Sequence, residues 1–302
     1  DKCIASDPKS FQAHFSMGKV FLMEGASAEA KQSFNRALEC EGLADEAWFM
    51  LGLIAEMEES DEEAFGYYSK AMELKPSRSG YVIALAELTA DREDHDGAVE
   101  LLRKKSEMLY ASSELKVALA EMLVLQGEVD EAILVYNRLL VSDGDQSEYL
   151  VPLGFCYVIN KDWAEGVRIF SRLVEKTVGS ERDNHLEMLG MCSMNNNDYV
   201  QAMKCYDRLS VKRREDVDVW LRMGQAAFGA NIPERALVCA KRAYALHPGS
   251  NDAMMLKGCA EYVQGDYAKA FESFGRLSSK SESSSFVEMM MSRCNERLEK
   301  DM

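Results

Sequence analysis

Apolar residues in this chain come in paired blocks at helical spacing. In "AWFMLGLIAEMEESDEEAFGYYSKAMELKP" (47–76) an apolar block of about three turns runs into a polar break. A second, mixed block follows and closes on proline. That pattern predicts two antiparallel helices joined by a short turn. "VWLRMGQAAFGANIPERALVCAKRAYALHP" (219–248) repeats it, with Trp48 aligned on Trp220, Gly52 on Gly224, Ala64 on Ala236, Ala71 on Ala243 and Pro76 on Pro248. The turns between paired helices read "QGEVDEA", "NNNDYVQA" and "QGDYAKA". Each offers Gly or Asn where a helix ends in a left-handed residue.

The register extends both ways. A small residue recurs in the first helix as Gly18, Gly52, Ala86, Ala120, Gly154, Gly190, Gly224 and Gly258. An alanine slot in the second helix reads Ala30, Ala64, Ala98, Ala132, Gly166, Ala202, Ala236 and Ala270. Four residues later comes a large slot: Phe34, Tyr68, Leu102, Tyr136, Phe170, Tyr206, Ala240 and Phe274. The spacing is 34 except for two extra residues around "TVGSER" (177–182). Repeats are expected to start near Phe11, Asp45, Ser79, Ser113, Ser147, Asp183, Val217 and Asn251. The facing small residues, Gly on one helix and Ala on the other, are expected to let the helices approach.

The pattern W-x-x-L-G-x-x-Y…A-x-x-x-F…P at this period resembles the tetratricopeptide repeat (TPR) family over nearly the whole chain. The resemblance implies an all-α fold: a right-handed superhelical solenoid of about eight helix-turn-helix repeats plus a C-terminal capping helix. Residues 1–10, with "DKCIASDP", read as the stump of a preceding repeat. Residues 11–284 are the eight repeats. Residues 285–302 are the capping helix and tail, opened by a capping box of Ser285 and Glu288. With a preceding hairpin missing, Phe11, Phe15 and Phe21 are expected to lie open at the N-terminal end.

Composition narrows the function. The 302 residues carry a net charge of -16, which argues against nucleic acid and against anionic membrane surfaces. No uninterrupted apolar run is long enough for a membrane span, so direct membrane insertion is not expected. The eight cysteines include no C-x-x-C pair, and the four histidines are scattered. Isolated thiols fit a reducing, cytoplasmic location without structural disulfides. No catalytic, cofactor-binding or metal-binding motif occurs, and Cys156, Cys192 and Cys294 share one small buried slot.

The resemblance implies that the first helices line a concave groove. One column is Phe15, Phe49, Ile83, Val117, Val151, Leu221 and Met255, interrupted by Glu187. The next is Lys19, Leu53, Glu87, Glu121, Phe155, Met191, Gln225 and Cys259. Around them stand Glu46, Glu56, Asp91, Glu114, Glu148, Asp218 and Asp252. The expected groove is mixed apolar and acidic. It suits a protein or peptide that is basic plus apolar. Family members that hold the acidic C-terminal tails of heat-shock chaperones begin their basic clamp with Lys and, four residues on, Asn in a first helix. Pairs such as Phe15/Lys19, Ile83/Glu87 and Val117/Glu121 do not match, so those tails are not expected partners. The leading reading is a non-enzymatic interaction scaffold. The alternatives are the regulatory or substrate-recruiting region of a larger enzyme, and a chaperone for secreted or membrane-bound chains that uses adaptable methionine.

Overall fold

The computed structural model describes residues 10–40, 44–108, 112–144, 146–278 and 285–300. Within them lie seventeen helices and no strand. They form two compact units. The first contains α1 (Phe11–Met23), α2 (Ser27–Leu38), α3 (Ala44–Met57), α4 (Asp61–Leu74), α5 (Ser79–Asp91), α6 (His95–Ser106), α7 (Ser113–Gln126) and α8 (Val129–Asp143). The second contains α9 (Ser147–Ile159), α10 (Trp163–Lys176), α11 (Gly179–Asn195), α12 (Tyr199–Lys212), α13 (Val217–Gly229), α14 (Pro233–Leu246), α15 (Asn251–Val263), α16 (Tyr267–Ser278) and α17 (Ser285–Lys300). Inside each unit every helix packs on the next, so neighbouring hairpins stack. The expected stump, residues 1–9, lies outside the described residues.

All eight large-slot residues, from Phe34 to Phe274, are fully buried. The small slot exists to receive them. A Cβ on Gly52 would stand 2.4 Å from the Tyr68 ring. On Gly18 it would stand 2.7 Å from Phe34, and on Gly190 2.8 Å from Tyr206. These glycines therefore meet the ring of the second helix, not its alanine, which corrects the expectation. The alanine slot faces onward: at Gly166 an added Cβ would meet the Cys192 Sγ of α11, in the next hairpin, at 3.0 Å. In the seventh repeat the ring is missing, and Leu256 of α15 occupies the space, 2.6 Å from where a Cβ of Gly224 would be.

The turn inside every hairpin has one left-handed residue: Gly25, Glu59, Glu93, Gly127, Lys161, Asn197, Asn231 and Gly265. The next residue's N–H then reaches back five residues, as in Ser60 to the Ala55 carbonyl at 2.8 Å and Asp162 to Tyr157 at 2.9 Å. This closes the last turn of the first helix. Gly127, Asn197 and Gly265 were legible from their residue type. Glu59, Glu93 and Lys161 adopt the same conformation against their intrinsic preference.

Helix starts agree with the register, apart from a residue at Ala44 and a larger shift at the sixth repeat. There α11 begins at Gly179, not near Asp183, and runs 17 residues. The two extra residues lengthen this helix at its N-terminus. Thr177 seals the joint: its hydroxyl lies 2.8 Å from the Leu173 carbonyl and 3.0 Å from Nδ1 of buried His185. Burial lowers the His185 pKa, with the nearby Glu181 charge opposing it.

At the N-terminal end, Phe11 and Phe15 are buried, contrary to the expectation of an open end. Their rings stack at 5.4 Å, and Phe15 lies 5.4 Å from Phe34, so they turn into their own hairpin. α17 packs through Val287, Met290 and Cys294, while Glu288, Ser292, Asn295 and Glu299 face solvent. Ser285 is the first residue of α17, and the position before it lies outside the described residues.

Three substitutions test these contacts. Gly52→Ala forces its methyl into the Tyr68 ring and should destabilise by roughly 1–3 kcal/mol. Glu59→Gly and Lys161→Gly remove left-handed strain of about 1–2 kcal/mol, partly offset by glycine's freedom in the unfolded chain. Each should stabilise by about 0.5–1 kcal/mol in urea unfolding. A stable Gly52→Ala variant would refute the ring-on-glycine contact.

Candidate functional site

The first unit brings four predicted carboxylates into one electrostatic cluster. Glu56 ends α3, Glu87 and Asp91 lie on α5, and Glu121 lies on α7. Partial desolvation raises the Glu87 carboxyl above its usual range, and the charges of Glu56, Asp91 and Glu121 raise it further. Below the cluster, the Tyr68 hydroxyl donates to Glu56 Oε2 at 2.6 Å. Burial, then this bond and the charges of Glu56 and Glu87, push the Tyr68 phenol far up, so it stays a donor.

Phe49, Leu53, Ile83 and Val117 stand beside the cluster, half-buried. The Phe49 ring rests on Tyr68 at 5.4 Å and on Tyr81 at 4.9 Å. Five residues after each small slot comes a further column, which the register could have named and of which only Asp91 was singled out. It contains Met23, Met57 and Leu125, 89%, 66% and 74% exposed. Lys19 is exposed, its Nζ 5.8 Å from the Phe15 ring centre. Phe15 is 5% exposed and belongs to the core. Glu46 is engaged by Arg78 at 2.9 Å, and Glu114 accepts from Ser79 Oγ at 2.8 Å.

Phe155, Met191, Leu221 and Met255 belong to the second unit. Leu221 is 8% exposed and packs with Ala243 and Ala253. Phe155 is 45% exposed, and Met191 and Met255 are half-buried. Glu187, the break in the apolar column, pairs with Arg213 at 2.8 Å.

Among the described residues no group of His, Cys, Asp and Glu could hold a metal ion. No described helix is long and apolar enough to cross a membrane. The described cysteines are unpaired, and burial pushes the thiols of Cys156, Cys192, Cys205 and Cys239 up to about 11. Such thiols hold little of the nucleophilic thiolate.

Stacked two-helix hairpins with this periodic interlock define the all-α helical-repeat solenoid class. The sequence model of the tetratricopeptide repeat matches residues 18–79, 83–147 and 221–278, more than half of the chain. The chain belongs to that family. The stretch the model passes over contains Gly166 and the lengthened α11. Among solved structures, a TPR protein from Parabacteroides merdae superposes with a TM-score of 0.50 at 14% identity, covering 84% of this chain and 99% of that one. YrrB, a TPR protein with an unusual peptide-binding site, superposes with a TM-score of 0.52 at 17% identity, covering 62% of this chain and 95% of that one. These likenesses are of fold. No curated protein matches the chain in sequence.

The Glu87 environment predicts a pH effect on stability. Folding raises this group's proton affinity, so its charged form costs stability. The cost is absent below the ordinary glutamate pKa of about 4.3 and grows as pH rises through the elevated value. Glu87→Gln should therefore raise the melting temperature at neutral pH, and the gain should vanish in acid. An equal gain at both pH values would show that charge is not the cause.

Proposed function

We propose that this chain is a non-enzymatic protein-interaction scaffold whose first unit holds a partner segment in a mixed apolar and acidic groove. The observation that carries this reading is the convergence of the Glu56, Asp91 and Glu121 charges on Glu87, on the helices that carry the half-buried Phe49, Leu53, Ile83 and Val117. Holding three carboxylates close enough to raise the proton affinity of Glu87 costs stability, and an incoming Lys or Arg relieves it. The fitting occupant is a peptide or helix with basic residues beside apolar anchors. An acidic C-terminal tail meets like charge there. The absence of a catalytic motif and the elevated thiol pKa values support a role in binding.

Exposed charges are screened over about 10 Å at 0.1 M salt, so binding should weaken with salt, chiefly through the association rate. Peptides selected on the whole chain from a random library should carry Lys or Arg next to Leu, Ile or Phe. Their affinity should fall further in the double variant Glu87→Lys, Glu121→Lys. Acidic peptides at this face, or affinities indifferent to both salt and the double variant, would reject the reading.

A further inference from the structure

The joint between the fifth and sixth repeats holds a buried titratable side chain whose protons can be counted. Thr177 follows α10 and is buried, and His185 on α11 is 6% exposed. The Thr177 hydroxyl lies 2.8 Å from the Leu173 carbonyl oxygen and 3.0 Å from His185 Nδ1. A carbonyl oxygen only accepts, so the single hydroxyl proton goes to Leu173. The hydroxyl oxygen is then the acceptor for His185, and Nδ1 carries the imidazole proton. Nε2 keeps a lone pair, and among the described residues no hydrogen bond reaches it.

Acid therefore adds its proton at Nε2 and turns the ring into a buried cation. The surroundings offer that cation little. The Phe170 ring centre on α10 is 6.5 Å away, outside the range of about 6 Å at which a ring attracts a cation. Glu181, one turn earlier on α11, is the charge that bears on the imidazole, and it is exposed. Of the joint's other charged groups, Glu175 and Lys176 end α10 in solvent, and Arg182 lies half-buried on α11. Asp183 is held by Lys212 of α12 at 2.8 Å, and Glu187 by Arg213 at 2.8 Å. Burial outweighs Glu181, so the folded state prefers the neutral ring.

We propose that Thr177 and His185 form a pH-sensitive latch between the fifth and sixth repeats, closed while the imidazole is neutral and released when Nε2 takes a proton. Thr177 also closes α10, since its N–H reaches the Leu173 carbonyl at 3.0 Å. One contact thus ties the end of one hairpin to the start of the next, at the place where two extra residues lengthen α11. In the neighbouring repeats the His185 slot holds Tyr149 and Val219, neither of which gains charge in acid. A histidine held neutral by burial costs the closed latch nothing above the ordinary imidazole value of about 6.5, and progressively more as pH falls below it. Acid is therefore the opening direction.

The test uses the whole chain. Nuclear magnetic resonance of the four histidine rings, with the His185 signal identified by its loss in His185→Asn, should show His185 titrating below the ordinary value. Between pH 7.5 and 5.5, amide exchange of residues 179–187, corrected for its intrinsic pH dependence, should speed up by as much as about tenfold, one pH unit below the ordinary imidazole value. Exchange in α1, which carries buried His14, should not follow it. In His185→Asn an amide N–H stands in for Nδ1–H and does not titrate, so the acid response of 179–187 should disappear. The ring titration and the exchange of the parent need no variant. Four results would overturn the proposal: His185 titrating at or above the ordinary value, exchange of 179–187 indifferent to pH, the same acid response in a folded His185→Asn, or one uniform acceleration of every helix, which would make the effect global unfolding.

Discussion

A ring lying on a bare backbone sets the geometry of the hairpins. Phe34, Tyr68, Phe170, Tyr206 and Phe274 each press on a glycine of the first helix at distances that leave no room for a methyl. That contact fixes how near the two helices come, and so how deep their other side chains interlock. Close-packed interiors transmit such constraints to their neighbours. Where the contact changes, a compensating change appears nearby. The third repeat has Ala86 with the ringless Leu102, and the seventh has Gly224 with Leu256 filling in from the next hairpin.

Because packing is settled between the helices, the outward positions of the first helices are released from it. The two units use that freedom differently. One brings the charges of Glu56, Asp91 and Glu121 to bear on Glu87. The other leaves Phe155 45% exposed and Met191 and Met255 half-buried. Both arise from the same scaffold, which is why family membership alone does not name a partner. A protein of this class is specified by what its first helices carry between the fixed slots.

The repeat could be read before the structure because its slots are packing slots, where residue size is restricted and therefore visible. Seven of eight helix starts fell within a residue of the register. The exception, α11, was hidden because an insertion can lengthen either the loop or the helix, and residue types around Gly179 do not decide between them. Depth was harder to read than position. Phe15 and Phe49 hold the same slot, but Phe15 is enclosed by Phe11 and Phe34 while Phe49 remains half-buried. The left-handed turns at Glu59, Glu93 and Lys161 gave no sign in composition, since the surrounding hairpin imposes the conformation on residues that do not favour it. The candidate site was legible as a list of positions. That Glu56, Asp91 and Glu121 act together on Glu87 required three-dimensional proximity.

The seventh repeat has an ancestral implication. Its large slot holds Ala240, and Leu256 of the eighth repeat fills the vacancy over Gly224. Neither repeat is then a self-sufficient brick. A duplication or recombination break between them would leave a void on one side and an oversized side chain on the other. The two repeats must be inherited together, so the unit of exchange at this end of the chain is the pair.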